Sequence, residues 1–177
     1  LLERRDEVNN VALLVVSSDR GMCGGFNANV LKLASQYAKA RSEDGANVKL
    51  FPLGRRAIQF AGRVEYEVGE SFGESISAGE QARVREISRC LIDGFTAGEF
   101  DEVVIISNRF KSVISQTSVA LPMLPVGGDR LAEEADTETN AGAGSDLLYE
   151  PDQESLMGHV VPRYVEVLVR EAILESV

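Results

Sequence analysis

The 177-residue sequence is 44% hydrophobic but only 6% aromatic, and its 28 acidic residues outnumber its 18 basic ones to give a net charge of −10. This composition is typical of a globular chain, and the length suits a single domain over residues 1–177 with its own core. The negative charge argues against nucleic acid and anionic lipid as partners, because both would repel such a surface. No apolar run approaches the roughly 18 residues of a membrane-spanning helix.

The first predicted unit is a strand, a turn and a helix. Residues 11–16 form an apolar, β-branched run, which is typical of a strand covered on both faces. The glycine-rich stretch SSDRGMCGGFNAN follows at residues 17–29, and apolar residues with helical spacing begin at Val30. Asn27 is the predicted cap of this helix, which we expect to run for about four turns.

The pattern of alternating strands and helices continues to residue 126. We predict a strand over 47–51 closed by Pro52, a short helix over 54–62 and a short strand over 64–68. A capping box at Ser77 and Glu80 starts the next helix, which the glycines between 94 and 98 should end.

A further buried strand over 101–107 and an extended edge strand or hairpin over 113–126 complete the series. The predicted fold is α/β, with a Rossmann-like, mainly parallel sheet flanked by helices.

The composition then changes abruptly. Residues 129–154 contain nine acidic side chains and one basic one, Arg130. Such a segment has too few apolar residues to offset the entropy of ordering it, so we predict a mobile acidic loop over 129–146. Helical spacing returns from Asp152, where Pro162 should kink the helix. The chain begins without methionine and ends within a helical pattern, so we expect a fragment of a longer protein.

The glycine turn raises the possibility of an anion site, because a strand, a glycine turn and a helix N-terminus point backbone N–H groups at a phosphate. The spacing of Gly21, Gly24 and Gly25 matches neither the dinucleotide fingerprint nor the P-loop. The next strand also lacks the acidic residue that would hold a ribose. A structural role is therefore favoured, in which glycines allow positive φ and close packing of helix on sheet.

Cys23 lies in the same turn, where a helix N-terminus would lower the pKa of a thiol. A nucleophilic cysteine needs a base, and the single histidine, His159, belongs to the last predicted helix with no orienting partner. The spacing of Cys23 and Cys90 suits neither a metal site nor a disulfide framework, which favours a reducing compartment. We therefore predict no catalytic residue, no metal and no cofactor.

Three motifs resemble one family, the γ subunit of F-type ATP synthase, which forms the central rotor stalk. The family's strand leads into a motif of the form (S/T)-(S/T)-D-(R/K)-G-L-C-G-G-(F/Y)-N, in which Met22 replaces the usual leucine. The matching positions are Ser17, Ser18, Asp19, Arg20, Gly21, Cys23, Gly24, Gly25, Phe26 and Asn27. A second segment matches at residues 108–116, and a third matches Y-E-P-x-x-x-x-L at 149–156 followed by P-R-Y at 162–164.

The resemblance implies that Gly21, Cys23, Gly24 and Gly25 form a structural turn and that the domain performs no nucleotide chemistry. It implies a globular foot that couples rotation of the c ring to ATP synthesis or hydrolysis in the α/β ring. The implied partners are the ε subunit, the c ring and, through a coiled coil, the α and β subunits. Tyr149 and Glu150 are the candidate contacts with the c ring or ε.

The family's long antiparallel coiled coil is almost wholly missing, so residues 1–10 and 165–177 are interpreted as its truncated stubs. The resemblance further implies a peripheral position on the cytoplasmic face of the cell membrane within the F1 sector. The long acidic loop suggests an actinobacterial source. Two alternatives stay open: a nucleotide-binding or Cys-dependent enzyme of Rossmann-like fold, and a free-standing regulatory module.

Overall fold

β1 (Asn10–Val16) is the central strand of a five-stranded sheet, as its continuous apolar sequence predicts. The computed structural model describes residues 7–18, 25–73, 80–112, 115–126 and 153–176. β1 pairs in parallel with β2 (Asn47–Leu53) on one side and with β4 (Glu102–Ser112) on the other. The two-residue β3 (Glu67–Val68) extends the sheet beyond β2, and β5 (Ser115–Leu124) pairs antiparallel with β4. The strand order is therefore β3-β2-β1-β4-β5.

Helices cover both faces of this sheet. Residues of α1 (Phe26–Glu43) and α2 (Arg55–Ala61) pack with Val11, Leu13 and Val15 of β1 on one face. Residues of α3 (Glu80–Ala97) and α4 (Gln153–Ser176) pack with Ala12, Leu14 and Val16 on the other. The alternation of side chains along β1 thus gives each face its own core. The predicted mainly parallel α/β fold is confirmed.

β2 runs through Pro52 to Leu53, two residues beyond its predicted end. The Pro52 carbonyl accepts a hydrogen bond from the Phe72 N–H. The Leu53 carbonyl points to the opposite side of the strand, where it accepts one from the N–H of Ser17, the residue that follows β1. The nitrogen of Pro52 therefore faces away from β1, and the β1–β2 ladder loses no donor. The strand can continue because its other neighbour, β3, pairs only with Lys49 and Leu50.

β4 is also longer than predicted, because it continues past Ser107 to Ser112 as one arm of a hairpin with β5. The prediction that residues 113–126 form an edge strand or hairpin is confirmed, since β5 occupies the end of the strand order. Pro122 lies in this edge strand, where a missing N–H is tolerated.

The helix boundaries contain one correction. Gly25, not Asn27, is the N-cap of α1, and it makes no side-chain capping bond. The Asn27 carbonyl oxygen Oδ1 instead accepts a hydrogen bond from the Ser18 N–H at 2.9 Å, so the side chain ties the helix start to the end of β1. The predicted stop of α3 is confirmed at Gly98, which has φ +82°. The predicted cap at Ser77 lies outside the described residues.

α4 runs from Gln153 to Ser176 as one helix with Pro162 inside it. Its buried stripe packs against α3 and β4 and consists of Val161, Val165, Val169, Ala172 and Ile173. Ile173, within the predicted stub 165–177, is therefore buried by the domain itself. The predicted acidic loop over 129–146 and most of the segment 1–10 lie outside the described residues.

None of the helices within the described part of the chain has the length and apolar character needed to cross a membrane.

Candidate functional site

In an open α/β sheet a ligand binds beyond the carboxyl ends of the strands where the strand order reverses, which here is between β1 and β4, next to the ends of β1 and β2. In this protein the ends of β1 and β2 are bridged by Ser17. Its hydroxyl donates to the Leu53 carbonyl at 3.2 Å and accepts from the Ala57 N–H at 2.8 Å. Ser17 is fully buried. A donor in the first turn of α2 is therefore satisfied by the protein itself.

Gly54 lies in close backbone contact with the end of β1. It has φ +89° and ψ 155°, a conformation that is essentially restricted to glycine. A Cβ atom at this position would lie 2.1 Å from the Ser17 carbonyl oxygen. The β2–α2 turn is thus pressed against the end of β1, and the space between these two strand ends is filled.

The β1–α1 turn contains the predicted structural glycines, of which the structure describes Gly25. Gly25 has φ −75°, and a Cβ atom added there would meet the Asn29 side chain only at 3.5 Å, an ordinary contact distance. The expected need for positive φ therefore does not apply to this glycine. Gly21, Cys23 and Gly24 lie outside the described residues, and their role in a structural turn stays a prediction.

Two polar residues lie within β4, just past the end of its pairing with β1. Ser107 and Asn108 are both buried, and the Asn108 Oδ1 accepts a hydrogen bond from the Ser118 hydroxyl of β5. Asn108 and Ser118 thus join the two strands of the hairpin. They are not arranged as a nucleophile and a base.

Cys90 is the cysteine that the structure describes, and it is half-buried on α3. Burial raises the pKa of its thiol to about 11, and a hydrogen bond with Glu70 adds to the rise. A thiol with such a pKa stays protonated at neutral pH, and the protonated form is a poor nucleophile. The side chain of His159 and all of Cys23 lie outside the description, so the predicted lack of a Cys–His pair there stays a prediction.

The amino end of the sheet carries a different polar arrangement, which the sequence did not reveal. The buried carboxylate of Asp101 accepts hydrogen bonds from the Asn9 N–H at 2.9 Å and the Asn10 N–H at 2.8 Å. The Asp101 N–H in turn donates to the Asn10 carbonyl at 2.8 Å. The residues that lead into β1 are thereby fixed to the start of β4, more than 90 positions away in sequence.

The outer face of α4 exposes apolar side chains. Val160, Val167 and Leu174 are 41%, 52% and 52% exposed, and they repeat at intervals of seven residues. A coiled-coil seam has apolar residues at two positions of each heptad, and this repeat supplies one of them, because the residues three positions after Val160 and Val167 are Arg163 and Arg170. Tyr149 and Glu150, the predicted contacts with the c ring or ε, lie outside the described residues.

The family described as ATP synthase matches residues 1–177, which is the whole chain. The chain belongs to the ATP synthase gamma-chain family. The gamma chain of Maridesulfovibrio salexigens is 32% identical over 99% of this chain and 59% of its own length. That of Geotalea uraniireducens is 34% identical over the whole of this chain and 58% of its own length. The chain therefore spans less than two thirds of the gamma chains that it matches.

The solved structures agree with the fold of this gamma-chain family. The central stalk and c-ring structure of the Tetrahymena thermophila mitochondrial ATP synthase contains a chain that is 19% identical and matches with a TM-score of 0.67. The match covers 97% of this chain and 71% of the Tetrahymena chain. A rotor chain of the Euglena gracilis enzyme is 16% identical, with a TM-score of 0.61 over 96% of this chain and 62% of its own.

The γ-subunit resemblance drawn from the three motifs is thus confirmed, and the comparisons favour it over the nucleotide-dependent or Cys-dependent enzyme. The actinobacterial source stays a prediction.

Proposed function

We propose that residues 1–177 form the globular foot of the central-stalk gamma chain of a rotary ATP synthase. The foot would couple proton-driven rotation of the c ring to ATP synthesis or hydrolysis in the α/β ring. The observation that carries the proposal is the family match over the entire chain. The close contact of Gly54 with Ser17 supports a mechanical role, because it packs the ends of β1 and β2 tightly against each other.

On this proposal the chain has no active site of its own and needs no cofactor. The catalytic chemistry would belong to the α/β ring, and the foot would contribute rigid connections between the c ring, the ε subunit and the shaft. Its position would be peripheral, at the cytoplasmic face of the membrane and within the F1 sector. Nucleic acid is not among the proposed partners, in keeping with the net charge of −10.

The proposed contact with the shaft uses residues 165–177 as one stub of an antiparallel coiled coil and 1–10 as the other. The exposed Val167 and Leu174, seven residues apart on α4, support the first stub because they leave apolar surface at one heptad position for a partner helix. The remaining shaft would contact the α and β subunits. The acidic loop over 129–146 is proposed to be mobile.

Tyr149 and Glu150 are proposed to contact the c ring or ε. A photo-crosslinking amino acid placed at each position, in the whole protein within the assembled enzyme, tests this contact. Crosslinks to c or ε are expected from positions 149 and 150, and none from the exposed control position Lys39 on α1. Crosslinks from Lys39 alone would assign the contact to another face.

Affinity isolation of the tagged whole protein from its own cells tests the proposed function as a whole. We expect the α, β, ε and c subunits to be recovered in the isolated complex. Isothermal titration of the isolated protein with ATP and with NADH, each added separately, should give no binding heat. Recovery without these subunits, together with stoichiometric nucleotide binding, would favour the enzyme instead.

A further inference from the structure

The amino end of the sheet contains a group of four residues that we call the Asp101 clamp: Asn9, Asn10, Asn47 and Asp101. Within it the Asn10 N–H donates to the Asp101 Oδ2, the Asn10 carbonyl accepts from the Asp101 N–H, and the Asn10 Nδ2 lies 3.5 Å from the Asp101 Oδ2. The Asn47 N–H donates to the Asn9 carbonyl at 2.7 Å, and the Asn47 Nδ2 donates to the Asn10 Oδ1 at 3.2 Å. The clamp therefore joins the entry to β1 with the starts of both β2 and β4.

The carboxylate of the clamp is itself held in place by a rigid corner. Asp101 follows Phe100, whose ring is buried against Phe51 at a centroid distance of 5.5 Å with the two planes at 84°. A Cβ atom on Gly94 of α3 would lie 2.3 Å from the Phe100 ring, so α3 and this ring approach as closely as a glycine allows. The corner fixes Asp101 relative to α3 as well as to the sheet.

The residues on the other side of the clamp have little regular structure to hold them. Residues 7–9 belong to no helix or strand, and Glu7 and Asn9 are exposed. Val8 is partly buried and packs against the core on the α1 face of the sheet. Hydrogen bonds to a carboxylate are shorter and stronger than those between neutral groups, so the two amide bonds to Asp101 are the firmest ties of this entry segment.

We infer that Asp101 is a positioning residue for torque: it fixes the segment entering β1 to the rigid body of the foot. The inference rests on the proposed function, in which this segment and α4 are the two connections between foot and shaft. α4 is secured by its long buried stripe, whereas the entry segment is secured by the clamp. The two connections act in parallel and their stiffnesses add, so loosening the clamp lowers the stiffness of the junction by the share that the entry segment carries.

The test uses Asp101→Asn in the whole gamma chain, with Asp93→Asn as the matched control, because Asp93 is an exposed acid on α3. Asparagine keeps an oxygen acceptor but removes the charge that strengthens both bonds. We expect hydrogen exchange at the Asn9 and Asn10 amides to become about tenfold faster or more in Asp101→Asn. Asp93→Asn should leave both rates unchanged. Unchanged exchange in Asp101→Asn would overturn the clamp.

The second arm measures the junction in the assembled enzyme. With the α/β ring fixed to a surface and rotation stalled, a bead is attached through a biotin-acceptor peptide in the exposed turn at Asp44 and Gly45. The angular variance of the bead should increase in Asp101→Asn and stay at the wild-type value in Asp93→Asn. Faster amide exchange with unchanged variance would mean that Asp101 is merely structural, and would overturn the inference.

Two further outcomes are separated by this design. If the wild-type bead never rotates when ATP is supplied, the proposed function fails and the torque role falls with it, whatever the exchange rates show. If Asp101→Asn does not fold, Asn10→Asp is used instead, because a carboxylate at Asn10 repels that of Asp101 while leaving it in place. Asn10→Asp is expected to increase both exchange at Asn9 and bead variance, and failure of either to increase would overturn the inference.

Discussion

The Ser17 hydroxyl accepts a hydrogen bond from the Ala57 N–H at 2.8 Å, across 40 positions of sequence. A side chain from the end of one strand thereby satisfies a backbone donor at the start of a helix that follows another strand. Two measurable consequences follow from the contact between these strand ends, and two more follow from the packing of Phe100 and the burial of Cys90.

Ser17→Ala should lower the free energy of unfolding by about 1–3 kcal/mol, because the buried Ala57 N–H loses its acceptor. Urea denaturation followed by circular dichroism measures the change. Ser42→Ala is the control, since Ser42 is exposed near the end of α1. Equal stability of the two variants would show that water replaces the hydroxyl at no cost.

Gly54→Ala should be more damaging than Gly45→Ala, although both glycines have φ close to +90°. At Gly45 an added Cβ meets nothing within 4 Å, so its cost is the backbone strain alone, about 1–2 kcal/mol. At Gly54 the Cβ also collides with the Ser17 carbonyl, and we expect a loss above about 3 kcal/mol. Thermal unfolding of both variants gives the comparison, and similar melting temperatures would argue against close contact between the two strand ends.

Gly94→Ala should destabilise the protein by about 1–3 kcal/mol even though alanine favours helices, because its Cβ overlaps the buried Phe100 ring. Combining it with Phe100→Leu should reduce this extra cost, which a double-mutant cycle of unfolding free energies measures. Gly62→Ala serves as the control, because its nearest atom would lie 3.8 Å away. Additive effects of Gly94→Ala and Phe100→Leu would contradict the predicted overlap.

Alkylation of Cys90 by iodoacetamide should be slow at pH 8 and should accelerate only as the pH approaches about 11. The protonated thiol is favoured by burial and by the neighbouring Glu70, so Glu70→Gln should move the inflection to lower pH. The native state also holds this proton more tightly than the unfolded state does. Stability should therefore fall as pH rises from about 9 towards 11. Peptide mass spectrometry resolves Cys90 from Cys23, and rapid labelling at pH 8 would contradict the raised pKa.

Much of the fold follows from local patterns in the sequence. The apolar run of β1 and the helical spacing after Val30 were sufficient to predict a covered central strand and a parallel crossover. The end of β2 could not be predicted in this way, because whether Pro52 interrupts a strand depends on which neighbour its nitrogen faces. That information comes from the position of Phe72.

The contacts that define the candidate site were beyond local reasoning for the same reason. Asn27 is of a residue type that often caps helices, but its side-chain oxygen accepts a hydrogen bond from the Ser18 N–H at the end of β1. Ser17 and Asp101 act on Ala57, Asn9 and Asn10, which are 40 or more positions away. The family resemblance could be recognised from three motifs, whereas these long-range contacts appear only in the three-dimensional structure.

The proposed function makes this domain part of the rotor. The most direct measurement follows a bead on the turn at Asp44 and Gly45, in assembled enzyme whose α/β ring is fixed to a surface, after ATP is added. We predict sustained rotation of the bead in one direction, in step with a second probe on the c ring. A bead that stays stationary while the c ring turns would contradict the assignment of residues 1–177 to the foot of the stalk.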